Sequence, residues 1–252
     1  MNLGGDFLTL TPFWLNGLVT LPGAKIMICF KRVFCVVAVL AVVGVAACNK
    51  RASTDTSIGK TMPVPSAKDP SGWPVYQVSG EDFSIALPPD WRQIDMNPQK
   101  FEAGMQEAIR QNPQMQAMAG NLRQQMTKGV KFFGLDQTTI GTAFATNVNI
   151  IRVPLPPGGT LDSIVSESLR QYESLSNVTK PVNHERLGDR ERLRVRMSMN
   201  MPDGQTQTLA NTQYILVHGK DAFVVTLTTL PDQETKYTAT FDKIGQSFRF
   251  LK

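Results

Sequence analysis

The sequence predicts an α+β fold in which a central antiparallel sheet is flanked by helices. Three observations predict it. Segments with strand-like patterns follow one another as consecutive hairpins, and segments with helical patterns are grouped between them. In the second half of the chain, apolar and polar residues alternate along successive segments, as in an antiparallel meander. Such grouping favours α+β over a doubly wound parallel sheet, in which strands and helices alternate one by one. We therefore expect a single α+β domain over residues 73–252.

The first elements of this domain are a strand, two helices and two strands. Phe83, Ile85 and Leu87 alternate with small residues, which is typical of a short strand, and Pro88 ends it because proline lacks a backbone donor. Apolar residues then recur at helical spacing over 99–111 and again after Asn112-Pro113. The second helix carries a methionine-rich stripe of Met115, Met118, Leu122 and Met126. Strands are predicted over 131–139 and 143–155.

The later elements are a helix, a meander and a final helix. Thr160 is predicted to cap a helix. Its predicted buried side chains are Leu161, Ile164, Val165, Leu169 and Tyr172. The alternating patterns predict strands over 178–186, 193–201, 206–217 and 222–230, separated by turn-forming residues. A helix over about 232–246 precedes Ser247–Phe250.

A secretory leader precedes the domain. Lys31 and Arg32 are followed by an apolar run over 33–47, and Cys48 comes directly after Val45-Ala46-Ala47. A positive start, an apolar centre and small residues before the cut are typical of a signal peptide. The run is about 15 residues long, shorter than the ~20 that a spanning helix needs.

The end of this leader resembles the lipobox of bacterial lipoproteins, here Val45-Ala46-Ala47-Cys48. The resemblance implies diacylglyceryl transfer to the thiol of Cys48 and cleavage between Ala47 and Cys48. Counted from Met27, the leader falls within the usual ~15–30 residues, whereas a start at Met1 makes it too long. We therefore expect residues 1–26 to be a mis-annotated extension, 27–47 the signal peptide and 48–72 a flexible tether.

Composition and charge exclude several functions. The chain has a formal net charge of +5, and residues 1–47 hold more basic than acidic residues, so the mature chain is only mildly basic. That charge does not predict nucleic-acid binding. Cleavage removes Cys29 and Cys35, and lipid consumes Cys48, so the domain has no thiol for disulfides, catalysis or metal binding. Apart from that covalent lipid, no cofactor is expected.

Two motifs connect the domain with a known family. Phe83-Ser-Ile-Ala-Leu-Pro-Pro-Asp-Trp91 resembles the opening of the PsbP/DcrB/LpqN-like superfamily. Phe241-Asp-Lys-Ile-Gly-Gln-Ser-Phe-Arg-Phe250 resembles the closing helix and strand of the same group. The resemblance implies an α/β/α sandwich with a binding, assembly or accessory role and no enzymatic activity. The Gln- and Met-rich insertion after Trp91 departs from the family pattern.

Methionines and arginines are the candidate site residues. Met197, Met199 and Met201 alternate on one strand face, and soft thioethers bind Cu(I). The competing interpretation is a core face, because Leu193 and Val195 continue it. Arg192, Arg194 and Arg196 form the opposite face, with Arg190 before them. That stripe is a possible interaction surface, or a solvated face paired with acidic neighbours.

The sequence gives little support for a metal site or a catalytic site built on histidine. His184 and His218 are the two histidines, and neither has metal-ligand spacing. The sequence contains no G-x-S-x-G, phosphate-loop or H-E-x-x-H motif. A Ser-His-Asp site assembled from distant positions stays open, because such sites need no local signature.

The leading hypothesis is a membrane-anchored lipoprotein of the cell envelope with a non-enzymatic binding or accessory role. Its expected partners are the membrane, through the lipid, and an unknown envelope protein or small ligand. Asn49 follows the cysteine, which by resemblance to Gram-negative sorting favours the outer membrane, facing the periplasm. The alternatives are a periplasmic Cu(I)-handling protein that uses Met197, Met199 and Met201, and a cryptic hydrolase.

Overall fold

Two antiparallel sheets and two 14-residue helices form most of the α+β structure of the described residues. The computed structural model describes residues 67–69, 72–78, 80–95, 102–103, 106, 110, 129–140, 142–200 and 205–251. The leader, most of the predicted tether and the predicted Met115–Met126 helix lie outside these residues. In the predicted helix at 99–111, the described positions 102, 103, 106 and 110 are helical.

The larger sheet has seven strands. Its order is β4-β5-β6-β10-β9-β8-β7, and all neighbouring strands are antiparallel. The hairpins from β7 to β10 are the predicted meander. The strands are β4 (Trp91–Ile94), β5 (Val130–Asp136), β6 (Asn147–Pro154), β7 (Asn183–Leu187), β8 (Arg190–Asn200), β9 (Thr206–His218) and β10 (Asp221–Thr229).

The smaller sheet joins the two ends of the described chain. Its order is β1-β2-β3-β11, and Phe250 pairs with Phe83. The pairing of β1 with β2 begins at Ala67, within the last residues of the predicted tether. Its strands are β1 (Ala67–Lys68), β2 (Pro74–Gln77), β3 (Phe83–Ala86) and β11 (Arg249–Phe250).

The helices α1 (Leu161–Ser174) and α2 (Glu234–Ser247) pack on opposite faces of the larger sheet. Tyr172 of α1 hydrogen-bonds Gln213, whereas Asp242 of α2 accepts a hydrogen bond from Tyr214. Successive strand residues point to opposite faces, so the two contacts identify an α1 face and an α2 face. This arrangement confirms the predicted α+β fold with a helix-flanked antiparallel sheet.

The main apolar core lies on the α2 face, between the larger sheet, α2 and the smaller sheet. Phe83 stacks on Phe248 with ring centroids 5.1 Å apart, and Trp91 meets Phe241 edge to face at 6.4 Å. Trp91 begins β4 at the edge of the larger sheet. The core side chains are Tyr76, Phe83, Ile85, Leu87, Trp91, Phe132, Val148, Ile150, Tyr214, Leu216, Phe223, Val225, Leu227, Tyr237, Phe241, Ile244 and Phe248.

Local polar groups explain where elements begin and end. α1 begins at Thr160 as predicted, because Thr160 and Ser163 form a reciprocal capping box. The strand predicted over 131–139 ends at Asp136, whose carboxylate accepts from the backbone N–H of Thr138 and turns the chain.

Two further strands begin later than predicted. The strand predicted over 178–186 pairs continuously from Asn183, and Val178 forms an isolated bridge with Met197. The strand predicted over 143–155 begins at Asn147. In α1, Leu161 and Leu169 are partly exposed, although they were predicted to be buried. Ser168 is buried, and its hydroxyl donates to the Ile164 carbonyl within the helix. Within the described ranges, no helix is both long and apolar enough to cross a membrane.

Candidate functional site

Six polar side chains cross the centre of the α1 face and form what we call the polar seam. They lie on β6, β10 and β9, and the strand register sets them in two rows. The first row is Asn147, Thr228 and Asn211, and the second is Asn149, Thr226 and Gln213. All six are at most 4% exposed. A buried sheet face is normally apolar, so the seam is the most unusual part of the described sheet.

Some hydrogen-bonding groups of the seam are paired. The Thr228 hydroxyl donates to Asn211 Oδ1 at 2.8 Å, and Asn147 Nδ2 donates to the Ala145 carbonyl at 3.0 Å. Gln213 Nε2 lies 3.4 Å from Thr226 Oγ1, which is a long hydrogen bond. These contacts orient the side chains but use part of their hydrogen-bonding capacity.

Four seam atoms have no hydrogen-bond partner among the residues that the structure describes. They are Asn147 Oδ1, Asn149 Nδ2, Asn149 Oδ1 and Asn211 Nδ2. A buried polar atom without a partner costs about 1–3 kcal/mol, because it gives up its hydrogen bonds to water and gains none. Both polar atoms of Asn149 are in this state. The seam therefore presents two donors and two acceptors to any group that reaches it.

The frame around the seam is apolar. On β8, Leu193 and Val195 lie opposite Gln213 and Asn211. On β5, Phe133 and Leu135 lie opposite Asn149 and Asn147, and all four frame residues are buried. No seam residue carries a charge. The low-dielectric surroundings strengthen a hydrogen bond that is made and raise the cost of one that is not.

Tyr172 connects the seam with α1. Its hydroxyl donates to Gln213 Oε1 at 2.8 Å. Burial raises the pKa of Tyr172 to about 12, and the hydrogen bond to Gln213 opposes that shift. The phenol therefore remains a protonated donor near neutral pH, which orients the Gln213 amide.

The predicted arginine stripe lies on the α2 face and is paired with acidic side chains. Arg192 contacts Glu185 of β7 and, at 2.7 Å, Asp242 of α2. Arg196 contacts Glu234 at 2.6 Å, and Arg194 lies 4.0 Å from Asp242. These carboxylates neutralise much of the charge of the stripe. Its role as an interaction surface stays a prediction.

Arg190, at the start of the same stripe, is buried and donates to the Gly245 carbonyl at 2.8 Å. Near that contact, Tyr214 donates to Asp242 Oδ1 at 2.6 Å, and burial, followed by this carboxylate, raises the pKa of the Tyr214 phenol. Arginine and tyrosine therefore connect β8 and β9 with α2. These contacts stabilise the packing of the helix.

The predicted thioether cluster lies partly outside the described residues. Met197 is 4% exposed and pairs with Leu209, and Met199 is partly buried. Met201, like Met115 and Met118, lies outside them. Among the described residues, no group of three or more His, Cys, Asp or Glu side chains is arranged to hold a metal ion. The Cu(I) hypothesis stays a prediction.

The two histidines make separate contacts. His184 Nδ1 lies 2.8 Å from Glu191 Oε1, and the His218 ring stacks on Phe250 at 4.3 Å. In the part of the chain that the structure describes, neither ring hydrogen-bonds a serine or threonine hydroxyl. A nucleophile and its base must be within hydrogen-bond reach, and these contacts supply no such pair.

The seam was missed by sequence reasoning, although a signal for it was present. Polar seam residues recur at every second position in Asn147-Val148-Asn149, Asn211-Thr212-Gln213 and Thr226-Leu227-Thr228, and the residue between them is apolar in the first and third segments. Alternation of this kind normally indicates a solvent-facing side of an antiparallel sheet. A sequence does not show that such a side is covered. Cys48 and Ala47, the predicted lipidation and cleavage positions, lie outside the described residues.

Comparison with solved structures finds partial similarity in fold. The cyanobacterial PsbP (CyanoP) of Synechocystis sp. PCC 6803 matches with a TM-score of 0.40 and 11% identity, covering 70% of this chain and 91% of that one. LpqN of Mycobacterium tuberculosis, which is involved in cell envelope biogenesis, matches with a TM-score of 0.38 and 11% identity. That match covers 73% of this chain and 87% of LpqN. The Ran-binding protein Mog1p of Saccharomyces cerevisiae matches with a TM-score of 0.39 and 10% sequence identity. That match covers 76% of this chain and 97% of Mog1p. No known family and no curated protein sequence matches the chain.

Proposed function

We propose that this protein is a lipoprotein of the cell envelope with a non-enzymatic binding or accessory role. The observation that carries the proposal is Val45-Ala46-Ala47-Cys48 directly after the apolar run of residues 33–47. One acyl chain binds a membrane marginally, whereas two or more give stable attachment. Lipid on Cys48 therefore anchors the protein, and residues after Cys48 connect the anchor with the sheets.

The non-enzymatic part of the proposal is supported by how the reactive groups are used. His184 contacts Glu191, and the arginine stripe is paired with carboxylates of β7 and α2. The unmatched buried side-chain groups of the described structure are neutral amides: four atoms of the seam and Gln93 Oε1 of β4. Amides bind through hydrogen bonds and are poor acids, bases and nucleophiles at neutral pH. This chemistry favours binding over catalysis.

Location follows from the same motif. Asn49 after the cysteine favours the outer membrane, with the domain facing the periplasm, in a Gram-negative host. The partners we propose are that membrane and an envelope protein or small ligand.

Metabolic labelling with an alkyne fatty acid tests the anchor. The wild-type protein is expected to take up the label and to stay in the membrane fraction after a high-salt wash. Cys48→Ser is expected to lose both properties. Cys35→Ser is the matched control, because Cys35 lies in the leader and is removed. A Cys48→Ser protein that still carries label would refute lipidation at this position.

The intact mass of the purified protein tests the cleavage site and the start. We expect a chain beginning at lipid-modified Cys48, unchanged when the Met1 codon is removed and lost when the Met27 codon is removed. A product that depends on Met1 would contradict the assignment of residues 1–26 as an extension.

Photo-crosslinking in living cells tests the accessory role. A photoreactive amino acid is placed at Glu185 on β7, at Arg196 on β8 or at the buried control position Leu193. A discrete adduct from the exposed positions and none from Leu193 is the expected result. Equal yields from all three positions, or no adduct at either exposed position, would contradict a protein partner at this surface.

A further inference from the structure

We propose that the polar seam binds an uncharged, hydroxyl-rich small molecule, a neutral saccharide, through Asn149 together with Asn147 and Asn211. This inference concerns a site on the α1 face and does not depend on the lipid anchor. Its basis is a set of buried amides, at most 4% exposed, with four unmatched atoms in the middle of a sheet.

The charge of the seam restricts the class of ligand. Its unmatched atoms are two amide nitrogens and two amide oxygens. No seam residue is ionisable, and the frame residues on β5 and β8 are apolar. An anion placed here would find no cation, and a cation would find only neutral oxygens in a dry environment, where an unpaired charge is strongly disfavoured. The ligand is therefore neutral.

The pattern of donors and acceptors favours hydroxyl groups. Asn149 has both a donor and an acceptor unmatched, side by side on one amide. A hydroxyl group donates and accepts at once, so neighbouring hydroxyls can satisfy both atoms of such an amide. A ligand with hydroxyls also satisfies the seam whichever way the Asn211 amide is oriented. Adjacent hydroxyls on a ring are the defining feature of a saccharide.

The dimensions of the seam suit one or two sugar rings. Its two rows are two residues apart along the strands, about 7 Å, and it spans three strands, about 10 Å. Phe133 beside Asn149 and Tyr172 beside Gln213 are buried aromatic side chains at its margins. A flat polar patch with an apolar margin matches a sugar, which has hydroxyls at its rim and C–H groups on its faces.

The structural alternative is that the seam holds only water or tolerates its unmatched atoms. Buried waters typically make about three hydrogen bonds to groups that are otherwise unpaired, so water is a real competitor. The same chain packs the α2 face with apolar side chains at the neighbouring positions Val148, Val225 and Leu227. Polar residues at all six seam positions are thus not required for building a sheet of this kind, and a ligand explains why they are there.

Entry to the seam requires local opening, because the side chains are almost fully buried. Binding is therefore expected to be slow and to protect the backbone amides of β6, β9 and β10 from hydrogen exchange. Local opening of this kind occurs within native proteins at free energies below that of global unfolding.

The experiment uses the full-length lipidated protein in a detergent without a sugar headgroup. The probes are trehalose, maltose and N-acetylglucosamine, with glucuronate as a charged control, each at millimolar concentration. Thermal unfolding and calorimetric titration report binding. We expect at least one neutral saccharide to raise the melting temperature, and we expect glucuronate to leave it unchanged.

Asn149→Leu removes both unmatched atoms of one amide with little change of volume. The affinity of this variant for the active saccharide is expected to fall roughly tenfold or more. A decrease of this size corresponds to the loss of about one or two hydrogen bonds. Asn183→Leu, on the exposed edge strand β7, is the matched control and is expected to bind as the wild type does. If Asn149→Leu fails to fold, Thr226→Val provides a second seam variant.

Three results would overturn the proposal. The first is a wild-type protein whose melting temperature does not respond to any neutral saccharide of the panel. The second is equal saccharide affinity in Asn149→Leu and Asn183→Leu, which would place the binding elsewhere. The third is a high-resolution crystal structure, soaked with the active saccharide, in which the seam contains only ordered water.

Discussion

The two faces of the seven-stranded sheet bury their polar groups in different ways. On the α2 face, buried polar groups have strong partners: the Tyr237 hydroxyl donates to Asp136 Oδ2 at 2.5 Å, and Arg192 pairs with Asp242. Gln93 Oε1, on the edge strand β4, is the exception. On the α1 face, Asn147, Asn149 and Asn211 keep four atoms unmatched. The α2 face thus contributes most to the stability of the fold, whereas hydrogen-bonding atoms of the α1 face remain unmatched.

The contrast extends to the tyrosines of the two faces. Burial, followed by the hydrogen bond to Asp136, raises the pKa of Tyr237 to about 12 on the α2 face. Burial alone raises the pKa of Tyr172 to about 12 on the α1 face, where its acceptor is the neutral Gln213. A carboxylate acceptor thus holds Tyr237, whereas Tyr172 is held by an amide that also belongs to the seam. Changes on the two faces are therefore expected to differ in size and in kind.

The largest effect is expected where α2 approaches the sheet. A Cβ atom on Gly245 would lie 2.2–2.5 Å from three atoms of the Tyr214 ring. Such overlap forces the helix or the ring to move, so Gly245→Ala is expected to lower the free energy of unfolding by about 3 kcal/mol or more. Chemical denaturation measures it. The exposed neighbour Gln246→Ala is the control, and equal stability of the two variants would show that the packing of α2 is looser than described.

A reciprocal exchange on β10 tests the difference between the faces directly. Val225 faces the α2 core and Thr226 faces the seam. Val225→Thr places a hydroxyl in an apolar environment and is expected to cost about 1–3 kcal/mol. Thr226→Val removes the acceptor of a long hydrogen bond and is expected to change stability by less than about 1 kcal/mol. Similar losses from both variants, measured by urea unfolding, would contradict the assigned difference.

A smaller effect is expected from Tyr172→Phe. The change removes the 2.8 Å hydrogen bond to Gln213 Oε1 and leaves that oxygen buried. The expected loss is about 1–2 kcal/mol. Tyr76→Phe is a suitable comparison, since Tyr76 is a buried tyrosine of the smaller sheet that packs into the core on the α2 face. If Tyr172→Phe unfolds at the same denaturant concentration as the wild type, Gln213 is not held by Tyr172.

The smallest effect is expected at the margin of the arginine stripe. The side chain of Arg196 is 54% exposed, and its ion pair with Glu234 is therefore screened by solvent. Arg196→Ala is expected to cost less than about 1 kcal/mol, and the cost is expected to shrink further at high salt. Unfolding at low and high ionic strength measures this. A loss that is independent of salt would indicate that packing of the arginine stem, not its charge, matters.

Local signals in the sequence predicted much of the fold. The alternation of β8 to β10 and the capping residue Thr160 act within a few residues, so they can be recognised in the sequence itself. The pairing of β3 with β11 has no such signal, because Phe83 and Phe250 meet only when the whole chain is folded. The seam was missed for the same reason. Asn147 and Asn149 alternate as surface residues do, and their burial depends on what covers the sheet.

Only some of the site residues predicted from the sequence lie in the part of the chain that the structure describes. Arg192, Arg194 and Arg196 were predicted to share a strand face, and they do, because side-chain alternation follows directly from strand geometry. Their carboxylate partners come from α2 and β7, and the sequence alone did not specify which ones. Met201 and Cys48 lie outside the described residues, so the copper hypothesis stays a prediction and the lipid hypothesis rests on the labelling experiment.

The smaller sheet has a mechanical consequence. A pull on the chain before Ala67 acts first on β1, which pairs with β2 through two residues. Strands pulled from one end in an antiparallel hairpin separate one hydrogen bond at a time, so β1 peels away under little force. β3 resists, because β2 and β11 hold its two edges and Phe83 is stacked on Phe248. Separation of β1 thus lengthens the chain under load, while β2 stays paired with β3 and the seven-stranded sheet stays intact.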